Sequence, residues 1–366
     1  MRFSTRYLSL VLVVSSACSS PPAETGRGVA LPEVSATNGY EQGVSAPFAG
    51  VLDRYVVVAG GCNFPETPAA QGGPKRFYSD IHLFDARAGQ WHTAGSLPQA
   101  VAYGASASTP EGVICAGGTT PEGVSRSVWM LGLSGDSVTI TPLPPLPEPL
   151  DNCAGACLDE QFYVVGGTTL YAYDLRTGQW QERAPLPEKR IQPTLAAQNG
   201  QLWLFGGYDP DGPQYVSGTG YAYDPATDTW RSVTGPTDRT GRPLLAAGGN
   251  ASAWGRDTIV CFGGVDSEIF TEALKRSAAL AIDPRNDSLR QAQRQYMEQP
   301  PQWYRFNNRV LIYNTKSDRW NVADTASSSA RAGAGLILLP HQEGLLLFNG
   351  ELKPGIRTPE VWYWRP

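Results

Sequence analysis

The chain has 366 residues, a formal net charge of −5 and only 17% charged residues. That length suits one large all-β architecture, and a mildly acidic chain without a basic run excludes an electrostatic nucleic-acid binder. Forty Gly, 30 Pro and 10 Trp favour many short strands joined by tight turns over a helical bundle.

The first residues read as an export signal. Arg2 and Arg6 precede an apolar core, Leu8 to Val14, that is too short to span a bilayer. Ser15-Ser16-Ala17-Cys18 follows and resembles a bacterial lipoprotein cleavage site, with Ser15 where a branched apolar residue is the rule. Residues 1–18 are thus the expected signal segment. It ends either in a lipidated Cys18 that anchors the chain to the membrane or in ordinary cleavage nearby, and both outcomes place the protein in the periplasm. The polar, Pro- and Ser-containing stretch 19–28 is expected to be a flexible tether.

From residue 29 onward the chain repeats itself. Apolar runs end in Gly-Gly: YVVVAGG to Gly61, GVICAGG to Gly118, FYVVGG to Gly167, LWLFGG to Gly207, TIVCFGG to Gly264, and LLLFNG to Gly350. Most are followed by a second strand with a tryptophan near its end: LFDARAGQW, AYDLRTGQW, AYDPATDTW and IYNTKSDRW. Period and pattern resemble kelch repeats, each of which builds one four-stranded propeller blade. Six units predict an all-β, six-bladed propeller over 29–366. The last unit lacks an outermost strand, and Val29-Ala30-Leu31-Pro32 is expected to supply it and close the ring.

Residues 266–305 interrupt the rhythm. Phe270–Ala281 and Ser288–Met297 read as helices, forming either a surface insertion or dimer contact, or a lid over the propeller mouth. Five cysteines lie beyond Cys18. Cys115 and Cys261 sit inside apolar strands and read as buried small hydrophobes, while a disulfide among Cys62, Cys153 and Cys157 stays open. No Cys/His spacing suggests zinc, and the three dispersed histidines argue against a copper radical site.

The C-terminal run FNGELKPGIRTPEVWYW carries the most chemistry. Glu351 follows a turn at Asn349-Gly350, and Arg357 lies six residues on. Read from the residues alone, this is either an ion pair that pins a loop or a site for a small anionic ligand. Lys353 reads as a solvated loop residue, with a substrate contact as its alternative. Segments leading into each blade should point toward the central channel: Phe48-Ala49-Gly50, Tyr103-Gly104, Asn152, Arg190-Ile191-Gln192 and Arg331-Ala332-Gly333. Arg190 and Arg331 are candidates to add positive charge there, with inter-blade hydrogen bonding as the alternative. Tyr78 is a further ligand candidate, with core packing as its alternative.

The chain resembles the N-acetylneuraminate epimerase (sialic acid mutarotase) family of kelch propellers, in a cyclically permuted subgroup. NGELKPGIRT carries the resemblance, supported by YSDIHLF, GGCNF, AYGAS, GGVDSEIFTEAL and YRFNNRVLIY. The resemblance implies Glu351 as catalytic acid/base and Arg357 as the partner of the sugar carboxylate. It also implies interconversion of α and β anomers of a small anionic sugar by ring opening and closure, with no cofactor. Val101 stands where members of the family have an arginine before AYG. A non-catalytic propeller that binds a sialylated glycan or a protein partner is the alternative.

Overall fold

The computed structural model describes residues 29–31, 38–135, 137–212, 214–323, 330–339 and 344–365. The expected signal segment, the expected tether and Cys18 lie outside the described residues.

Six four-stranded antiparallel sheets are arranged as a propeller. In the fourth, Thr194–Gln198, Gln201–Phe205, Thr219–Asp224 and Thr229–Thr234 run from the axis outward. The Gly-Gly runs form the second strand of each blade, one place further out than the channel-lining strand. Apolar on both faces, this strand is buried between neighbouring blades, as in Tyr55–Ala59 and Gly112–Ala116. The strands nearest the axis are instead rich in small residues, such as Ala105–Thr109 and Ala154–Leu158, because six sheets converge there. The sixth blade joins Gly335–Leu338, Leu345–Phe348 and Val361–Trp364 to Val29–Leu31 on its outer edge, with Ala30 opposite Trp362.

The repeated tryptophans join blade to blade through hydrogen bonds as well as packing. Trp230 Nε1 donates to Ala184 O at 2.9 Å, and Asp228 Oδ1 accepts from Ala184 N at 2.9 Å. Trp320 and Asp318 grip Thr234 of the preceding blade in the same way, at 2.8 and 2.9 Å. Each Asp-x-Trp thus satisfies both polar groups of one backbone unit at a blade boundary.

The insertion is helical. Helix α1 (Ser267–Ile282) and helix α2 (Asp287–Glu298) begin at Asp266 and Asn286, whose side chains accept from backbone N–H groups of their first turns. Both start earlier than the apolar pattern suggests because the caps are polar. Cys62, Cys115 and Cys261 are buried, and all five described cysteines are free thiols.

Candidate active site

One residue per blade turns the chain into the channel with a left-handed backbone: Ala46, Tyr103, Asn152, Gln192, Gly248 and Gly333, with φ between 48° and 69°. All six line a cavity of about 1010 Å³ on the propeller axis. Backbone hydrogen bonds link several of them around the mouth: Tyr103 N to Ala46 O, Gln192 N to Asn152 O, Gly333 N to Gly248 O and Ala46 N to Gly333 O, at 2.7–3.0 Å. Tyr103 is costly in this conformation, since bulky side chains rarely adopt it. Gly104 after it is obligatory, because a Cβ there would lie 2.4 Å from the Phe48 ring.

Glu351 also lines this cavity. Asn349 and Gly350 both have positive φ, and the turn they make lets Glu351 exchange backbone hydrogen bonds with Ala332, the neighbour of Gly333 at the mouth. Glu351–Lys353 and Ile356–Arg357 then form a two-stranded ribbon in which Glu351 lies opposite Arg357. Arg357 Nη1 is 2.6 Å from Glu351 Oε2. Its Nη1–H and Nε–H groups find no aligned acceptor among the described residues, although the guanidinium is buried. Buried donors of this kind are costly unless a further acceptor arrives.

Burial pushes the Glu351 carboxyl above its ordinary pKa, and Arg357, Lys75 and the Gly355 N–H pull it back only in part. Burial also opposes charge on Arg357, but Glu351, Tyr103 and Cys62 together hold its pKa above the ordinary value. Lys75 Nζ donates to the Tyr103 hydroxyl at 3.1 Å, and Cys62 Sγ lies 3.4 Å from the same oxygen. Burial foremost keeps the Tyr103 phenol protonated well beyond its ordinary range. A carboxyl and a phenol therefore line one side of the channel, with the Arg357 guanidinium and the Lys75 ammonium set against them.

Four sequence expectations are corrected. Arg190 is 1% exposed, and its guanidinium donates to Gly206 O (2.7 Å), Thr219 O (3.0 Å) and Glu188 (2.8 Å). Arg331 is 0% exposed and donates to Asn349 O, Glu360 O and Glu360 Oε2 at 3.0–3.2 Å. Both clamp the turn after the second strand to the start of the third within their own blade, and neither lines the channel cavity. Val101 occupies the corresponding place in the second blade, where it is buried in the apolar core. Tyr78 is buried behind the wall, where its hydroxyl donates to Asn63 Oδ1 at 2.8 Å. Lys353 is not solvated: its Nζ donates to Met297 O and Gln299 O, at 3.0 and 2.8 Å, at the end of α2. The insertion thereby packs over the ribbon. Tyr296 and Tyr304 lie near enough to Glu351 to feel its charge, while Phe270 and Leu274 of α1 line the cavity.

A closed ring of six blades with Gly-Gly second strands and an acid–guanidinium ribbon at its axis defines a kelch-type β-propeller. The profile of the N-acetylneuraminate epimerase family matches residues 25–140 and 143–365. The chain belongs to that family. Among its relatives, the N-acetylneuraminate epimerase of Haemophilus influenzae (strain PittEE) is 31% identical over 60% of this chain and 58% of its own length. Those of Salmonella paratyphi B (strain ATCC BAA-1250 / SPB7) and Salmonella arizonae (strain ATCC BAA-731 / CDC346-86 / RSK2980) are 31% and 32% identical over 61% of this chain and 58% of theirs. The chain thus matches somewhat over half the length of these relatives.

Proposed function

We propose that the protein is a mutarotase that interconverts the α and β anomers of N-acetylneuraminate, acting in the periplasm as an exported enzyme. The observation that carries this reading is Glu351 on the wall of the channel cavity, paired with Arg357 at 2.6 Å, in a chain of the N-acetylneuraminate epimerase family. The sugar is a 2-keto acid closed into a six-membered ring. Changing its anomer needs the bond between C2 and the ring oxygen to break, C2 to turn, and the ring to close on the other face.

Arg357 has N–H groups without an aligned acceptor among the described residues, and its planar fork suits the sugar carboxylate. This holds C2 beside Glu351. Glu351 takes the proton of the anomeric hydroxyl as the C2 carbonyl forms. The Tyr103 phenol, with Lys75 beside its oxygen, gives its proton to the departing ring oxygen. Closure runs the same transfers backward, so both groups finish as they began. Positioned acid and base groups contribute roughly 10²–10⁴-fold to such a step.

The test is proton NMR of freshly released α-N-acetylneuraminate with and without purified protein. Faster conversion to the β anomer, lost in Glu351→Gln, is expected. Conversion at the spontaneous rate would refute the reading.

A further inference from the structure

Channel-facing side chains are unevenly distributed around the mouth. Blades five, six and one present Gly248, Gly333 and Ala46, whereas blades two, three and four present Tyr103, Asn152 and Gln192. Glu351 belongs to the sixth blade, and in a ring of six the third stands directly across the channel from it. The wall opposite the acid is therefore built by Asn152 and its neighbour Gln192.

These two residues are fixed to each other twice. Gln192 N donates to Asn152 O, and Gln192 Nε2 donates to Asn152 Oδ1, each at 2.8 Å. The mutual side-chain bond uses one donor and one acceptor. Asn152 Nδ2 and Gln192 Oε1 keep no hydrogen-bond partner among the described residues. Exchanging N and O in both amides preserves the mutual bond and again leaves one NH₂ and one carbonyl, so the surplus does not depend on how the amides are oriented. The pair thus offers a donor and an acceptor without charge. Tyr208 is beside it, exchanging backbone hydrogen bonds with Ile191, and its ring packs on Phe270 of α1 at 5.0 Å. Both rings line the cavity.

We infer that Asn152 and Gln192, backed by Tyr208, form the subsite that recognises an acylamino substituent on the sugar-ring carbon opposite the anomeric centre. This rests on the mutarotase reading. In a six-membered sugar ring the anomeric C2 and C5 lie across from one another, as do Glu351's blade and the Asn152 blade. The N–H and C=O of a secondary amide point in opposite directions, so the pair meets one end of the amide. Its second free group meets the hydroxyl on the adjacent ring carbon. The acyl methyl lies against the Tyr208 and Phe270 rings. The pair then sets the preference for an acylamino group over a hydroxyl at that carbon. A site built to satisfy a polar group discriminates against ligands that leave its own groups unpaired.

The test compares N-acetylneuraminate with its analogue bearing a hydroxyl at C5, by mutarotation rate and by calorimetric binding. Wild-type protein should favour the acetamido sugar by at least about tenfold in kcat/KM. Gln192→Met should narrow that preference, raising KM more for the acetamido sugar than for the C5-hydroxyl sugar. Equal turnover of both sugars by wild-type protein would overturn the subsite while leaving the mutarotase reading intact, and needs no variant to be folded. Selective binding without rate acceleration would do the reverse. An equal loss on both sugars in Gln192→Met, with unchanged melting temperature, would also overturn the subsite.

Discussion

Glu351 and Arg357 face each other across a two-stranded ribbon, with 2.6 Å between carboxylate oxygen and guanidinium nitrogen. Even so, burial outweighs the guanidinium, and the carboxyl titrates above its ordinary range. An acid shifted in this direction holds its proton longer in the folded chain than in the unfolded one. Its contribution to stability is therefore fully present below the unfolded carboxyl pKa and is lost as pH rises through the higher folded value. Thermal melts across that window should show a decline in wild-type stability that is flattened in Glu351→Gln. Turnover needs the ionised form and should rise over the same window, above the pH at which an exposed glutamate ionises.

Arg357→Lys keeps the charge and removes the fork. The KM for N-acetylneuraminate should rise by roughly 10–100-fold, the equivalent of about one to two charge-assisted hydrogen bonds. Unchanged KM would place the sugar carboxylate elsewhere.

Arg190→Met tests the clamp. Removal of the guanidinium strands Gly206 O and Thr219 O in a blade interior, which should cost roughly 1–3 kcal/mol in denaturant unfolding. KM should stay at the wild-type value, since Arg190 does not reach the channel cavity.

Lys353→Met detaches the ribbon from α2. Amide hydrogen exchange in residues 287–304 should accelerate, and the pH midpoint of activity should fall toward the ordinary carboxylate range as water reaches Glu351. An unmoved midpoint would show that the insertion does not set the acid's environment.

The blade count was plain in the chain because each blade repeats the same burial problem. A second strand packed on both faces must be apolar throughout, and it ends where the backbone needs glycine. Glu351 and Arg357 were visible for a related reason: polar residues interrupted a strand pattern just after the Asn349-Gly350 turn. What the sequence hid was direction. Arg190 and Gln192 are two residues apart, yet one is sealed inside a blade and the other faces the channel. The left-handed backbone that turns Tyr103, Asn152 and Gln192 inward is not announced by glycine at those positions. Lys353 misled because its partners, Met297 and Gln299, lie more than fifty residues away and become neighbours only when the ring is complete.

The blade from which the Glu351 ribbon projects is the one assembled from Val29–Leu31 and Val361–Trp364, the most distant stretches that the described chain pairs. Such pairing carries the largest loop-closure penalty in the molecule and belongs among the slowest contacts to form. Five blades can stack while the sixth is still unfinished, and in that state the acid lacks the surroundings that raise its pKa. Catalytic competence would then arrive abruptly, with the last join rather than in proportion to the blades already made. Recovery of activity after dilution from denaturant should lag behind the return of β-sheet signal, and the length of that lag measures how long the ring stands open.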